Sequence, residues 1–158
     1  MRHTASARSA AHAAYDELAS YTLTHGDAAF IHQHVVDAFA AQHATEATKP
    51  ITVAFALIGL YLRVERRFTG RQVQRAHMML AWRSRSWPVF SLPEHRGPMT
   101  AADVLAAAAG PERDRAIDVW CASLWSAYAE TAPAVAALAR AHGLDAWTPG
   151  SATPSADV

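Results

Sequence analysis

Apolar residues recur at intervals of three and four along most of the chain, and Pro, Gly and capping residues cut that pattern into segments. The stretch over 28–48 organises the rest. At about 100° per residue it is apolar nearly all the way round, with Phe30, Ile31, Val35, Val36, Ala38, Phe39 and Ala41 leaving a narrow polar strip near Gln33 and Asp37. A helix apolar on most sides is buried on most sides. This one nevertheless carries His32, His34, Asp37, Gln42 and His43, which are expensive to bury without partners.

The segments around it read as further helices. Residues 1–8 are small and polar and are expected to be disordered. A helix follows over 9–24, with Gly26 after its end and Asp27 placed to cap the central helix, which runs to about residue 47. Pro50 opens a third helix over 51–68, where Thr52, Gly59, Arg63, Arg66 and Arg67 gather on a side expected to face water. Glu65 projects among Ile58, Tyr61 and Leu62 on the apolar side and calls for a partner. Thr69 and Gln72 form a capping box for a fourth helix to about residue 84, with Val73, Ala76 and Leu80 inward and His77 on the shoulder.

A Pro-punctuated loop over 87–98 leads to a short helix capped by Thr100, then to a longer one seeded at Gly110-Pro111. That helix buries Ile117, Trp120, Cys121, Leu124 and Tyr128. Pro133 interrupts it, and Gly143 stops the last helix. Residues 144–158 are rich in Pro, Gly and Ser and are expected to form a flexible tail. No strand-like alternation occurs. The expected architecture is all-α: one compact helical bundle over 9–143 with about four longer helices and shorter ones around them.

Candidate chemistry sits on the inward faces. His34 and Asp37 are three apart and so share a face, while Glu65 and His77 come from the next two helices. If those faces meet, two imidazoles and two carboxylates converge, a donor set suited to a divalent transition metal such as zinc, iron or manganese. His32, Gln33, Gln42 and Tyr61 are the candidates for holding a ligand nearby. The same residues equally suit a metal-free buried polar network. No paired Glu-x-x-His, Cys-x-x-Cys, P-loop or dinucleotide fingerprint is present, so no nucleotide cofactor is expected.

The totals narrow the partners. With 158 residues the chain has the size of one domain, and 14 basic against 14 acidic residues leave no global pull toward polyanions. Seven of the basic residues nevertheless fall between Arg63 and Arg85, with Glu65 the sole acid among them, which reads first as a solvated helix face. Nucleic acid is therefore disfavoured, a small molecule or a second copy of the chain forming a homodimer are the partners allowed, and no membrane partner is expected. The longest apolar run, 53–62, is too short to span a bilayer. The N-terminus lacks the apolar core of a signal peptide, and the single Cys121 fits a reducing cytoplasm.

The strings Tyr15-Asp16-Glu17-Leu18, FIHQHVVDAFAAQ over 30–42, GLYLRVERRFTGRQVQRAHM over 59–78 and WPVFSLP over 87–93 resemble a family of uncharacterised bacterial proteins, a domain of unknown function. The resemblance covers about 15–142. It implies that 30–42 and 65–77 act as one structural unit, and it attaches no reaction. A looser likeness in architecture is to metal-binding bundles of the DinB type, whose His triad has no counterpart in spacing here.

Overall fold

The structure is a computed structural model that describes residues 2–83 and 85–147. Among the described residues it contains seven helices and no strand: α1 (Arg2–Thr24), α2 (His32–His43), α3 (Pro50–Val64), α4 (Gly70–Arg83), α5 (Ala101–Ala106), α6 (Pro111–Ala127) and α7 (Ala132–Ala141). The chain is all-α, as its periodicity requires.

α3 forms the centre. Nine of its 15 residues are buried, and α2, α4, α6 and α7 pack around it. α2 touches α1, α3, α4 and α6, which is why its sequence is apolar on most sides. The core runs through Leu18, Val35, Leu57, Ile58, Leu60, Leu62, Val73, Leu80, Ile117, Trp120, Leu124 and Tyr128. Cys121 is fully buried among them and free. No helix among the described residues is long and apolar enough to cross a membrane.

Several stop and start signals work as the residues dictate. Pro50 and Pro111 occupy first-turn positions of α3 and α6, where a missing N–H costs nothing. The Thr69 and Gln72 side chains each accept the other's backbone N–H, at 3.2 and 2.8 Å. Thr100 and Asp103 close the same box ahead of α5. Gly143 takes a positive φ of 76°, and the Leu144 N–H returns to the Ala139 carbonyl to end α7.

Five expectations are corrected. α1 begins at Arg2 rather than near Ser9, so 2–8 continue the helix; its Ala, Ser and Arg residues carry no breaker. α2 begins at His32, because Phe30 adopts a left-handed φ of 56° in the turn before it. Asp27 supports that turn, its carboxylate accepting from the Ile31 N–H, instead of capping α2. At the other end, Leu144 is fully buried and Trp147 packs on Phe68, so the packed chain extends through 147. The remainder of the expected tail, 148–158, lies outside the described residues. Finally, Gly59 does not face water: it is buried against α2.

The second turn region also sets where α4 begins. A β-carbon on Gly70 would lie 1.7 Å from the Phe30 carbonyl oxygen, and the Arg71 N–H donates to the Ala29 carbonyl at 2.7 Å. The start of α4 is therefore docked on the left-handed turn that precedes α2, with the Arg71 guanidinium 4.6 Å from the Phe30 ring centroid.

Candidate functional site

The interior polar cluster begins on α2, where His34 (2% exposed) and Asp37 (3% exposed) point into the core. They share one face because they are three residues apart. Asp37 lies against α3, and an ideal β-carbon on Gly59 would be 1.9 Å from its Oδ2. Only glycine leaves room for the carboxyl there. Gln33, one turn before Asp37, donates from Nε2 to Asp37 Oδ1 at 3.1 Å and makes a long 3.5 Å approach to His77 Nδ1 on α4.

The tautomer of His77 follows from its other nitrogen. His77 Nε2 is 2.9 Å from the Phe55 carbonyl, which can only accept, so Nε2 carries the proton and Nδ1 is left to accept from Gln33. The ring also stacks on Phe55 at 5.0 Å. A single chain of contacts thus joins Asp37, Gln33, His77 and the α3 backbone, linking α2, α3 and α4.

Burial sets the ionisation of the cluster. It pushes the Asp37 carboxyl well above its ordinary value, against the smaller opposing effect of the Gln33 hydrogen bond. It pushes His34 down to about 3, with the Arg63 guanidinium acting in the same direction. His77 falls to about 4 by burial, although its bond to the Phe55 carbonyl pulls upward. At neutral pH both imidazoles are therefore uncharged, and burial favours the protonated form of the Asp37 carboxyl. Two buried atoms of this cluster have no hydrogen-bond partner, His34 Nδ1 and Asp37 Oδ2.

The fourth expected member is elsewhere. Glu65 is exposed at the C-terminal end of α3, and its Oε1 accepts from the Trp125 indole N–H at 2.8 Å. The apolar side of α3 has ended by this turn, so the side chain reaches across the rim to α6 rather than into the bundle. His34, Asp37, Glu65 and His77 therefore do not converge, and no group of three or more His, Cys, Asp or Glu among the described residues is placed to hold a metal.

The residues expected to hold a ligand are each engaged with protein. Gln42 accepts from the Trp120 indole at 3.2 Å and donates to the Met99 carbonyl at 2.7 Å. Arg96 ties the same helix end by donating to the Gln42 and Ala44 carbonyls and to Pro93. Tyr61 donates to Asp145, which also receives Arg66 and Arg140. His32 Nδ1 bonds the Thr22 hydroxyl of α1 at 2.9 Å. His43, on the far side of α2 from His34, packs against Phe39 with ring centroids 4.3 Å apart and planes tilted by 37°.

Two features escaped sequence reasoning. Gly59 is the counterpart of Asp37, and its only sequence signal is a glycine inside an otherwise strong helix. Trp82, on the outer face of α4, is 89% exposed. Its position, opposite Val73, Ala76 and Leu80 on α4, was the signal available.

The match to a known family extends over residues 4–129 and is to a sequence family described as "Family of unknown function (DUF5946)". No curated protein and no solved structure matches the chain. With the family match spanning most of the seven-helix bundle, the chain belongs to this family of unknown function.

Proposed function

We propose that the protein is a metal-free binding module: a helical scaffold whose interior polar groups hold the helices in register while recognition takes place on its surface. One observation carries this reading. Of the eight residues whose types suggested chemistry, seven have a protein partner, and those partners belong mostly to other helices or loops. Groups spent in this way fix geometry; they are not left free for substrate. The buried Cys121 thiol, pushed up by burial, supports no nucleophilic role and fits the reducing cytoplasm of a bacterial cell.

A second reading keeps a small-molecule or metal site at the eighth residue. His34 Nδ1 and the nearby Asp37 Oδ2 are both unpartnered and buried on consecutive turns of α2. These two donors would hold zinc, iron or manganese only with further ligands from groups not now placed beside them. Elemental analysis and chelator melts separate the readings. The scaffold reading expects less than about a tenth of an equivalent of transition metal and no change in Tm with a chelator. Stoichiometric metal, or a fall in Tm on chelation, would overturn it.

A further inference from the structure

The outward face of α4 sets basic and large apolar side chains in one line. Arg71, Arg75, Met78 and Trp82 follow the i, i+4, i+7, i+11 positions and so form one stripe, about 16 Å long, at ~1.5 Å per residue. The stripe lies opposite the buried Val73, Ala76 and Leu80. Met78 is 59% and Trp82 89% exposed, a large thioether and a full indole left in water side by side. Arg83 and Arg85 flank the C-terminal end.

Along this stretch of chain the formal charges have one sign. Between Glu65 and Glu94 the chain has six arginines and no Asp or Glu. Among the described residues, the ion pairs formed by side chains engage only Arg66 of those six, with Asp145. Arg71 is held in place over Phe30 and to Gln74, so its charge is presented from a fixed position.

Resting on the scaffold reading above, we propose that this face docks an acidic amphipathic helix of a protein partner. Trp, Met and Arg are the side chains over-represented at the cores of protein interfaces, and here they occupy consecutive turns of one helix. Carboxylates on one face of a partner helix meet Arg71 and Arg75, and an apolar side chain one or two turns further on covers Met78 and Trp82. The mid-stripe methionine selects against a phosphate backbone, because a thioether gains by apolar contact. The convex helix face also offers no groove for a strand to follow, and the chain as a whole carries no net positive charge to attract a polyanion.

The test uses the full chain, 15N-labelled, and a synthetic 18-residue peptide with Glu and Leu on one helical face. A scrambled peptide of the same composition and a 20-nucleotide oligodeoxythymidine are the comparisons. Addition of the amphipathic peptide is expected to shift the Trp82 indole N–H resonance, identified by its loss in Trp82→Ala, and to leave the other indole resonances in place. Arg75→Glu and Trp82→Ala are each expected to weaken binding at least tenfold while leaving Tm unchanged, since both positions are exposed. Absence of saturable peptide binding, binding by either variant as tight as that of the wild type, or tighter binding of the oligonucleotide would each overturn the proposal. A metal-bound protein would instead sink the scaffold reading, and the chelator melt detects that without any peptide.

Discussion

The Asp37 carboxyl occupies the space beside Gly59 that any other residue would fill with a β-carbon. α2 and α3 therefore approach through one polar side chain and one missing side chain, and neither residue makes sense without the other. Gly59→Ala would gain about 1 kcal/mol in helix propensity. The overlap with Asp37 outweighs that gain, and the net expectation is a loss of about 1–3 kcal/mol of stability by denaturant unfolding. Combined with Asp37→Ala, the alanine should be better tolerated, giving a coupling of about 0.5–3 kcal/mol in a double-mutant cycle. Strict additivity would show that the two side chains do not compete for that space.

The cluster also predicts opposed pH dependences. His34 and His77 have folded values near 3 and 4, below the ordinary 6.5. Their contribution is thus complete above about pH 6.5 and is lost as pH falls toward 4, because the unfolded chain binds protons that the folded chain refuses. Asp37 acts in the other direction. Its folded value is raised above 3.8, so its contribution is complete below that pH and is lost as pH rises through the folded value. Asp37→Asn removes the opposing titration. Between about pH 6.5 and 4 the variant should lose stability with acid more steeply than the wild type, by up to about 1.4 kcal/mol per pH unit. Equal slopes would mean that Asp37 ionises normally within the fold.

Glu65 gives a contrasting prediction. Its role is to accept the Trp125 indole N–H from an exposed position, and an amide oxygen can do the same. Glu65→Gln should change Tm by no more than a degree or two, corresponding to less than about 0.5 kcal/mol. A large loss would indicate a carboxylate partner that the geometry does not provide.

Asp145 ties the chain beyond α7 to Tyr61 of α3, to Arg66 just after α3 and to Arg140 of α7, and these contacts keep its carboxyl below the ordinary range. Asp145→Asn should loosen 144–147 without unfolding the bundle. Limited proteolysis should then cut after Arg140 faster than in the wild type, with the rate at other arginines unchanged. A uniform increase at all sites would instead indicate global destabilisation.

The helices, their order and most of their stops were legible because they rest on local chemistry. Periodic apolar residues, Pro at first turns, the Thr69–Gln72 box and Gly143 each act within a few residues of themselves. The burial of His34 and Asp37 was legible too, since a helix apolar on most sides has few other places to put them. What sequence could not decide was which interior group meets which. Glu65 was placed among apolar neighbours and His77 only on the shoulder of its helix, yet the end of α3 carries Glu65 out to Trp125, while His77 turns in to Gln33 and the Phe55 carbonyl. Gly59 read as a solvent-side residue until the crossing of α2 over α3 set Asp37 upon it. Helix periodicity fixes a side chain's direction about its own axis, and only the packing of one axis against another determines what lies in that direction.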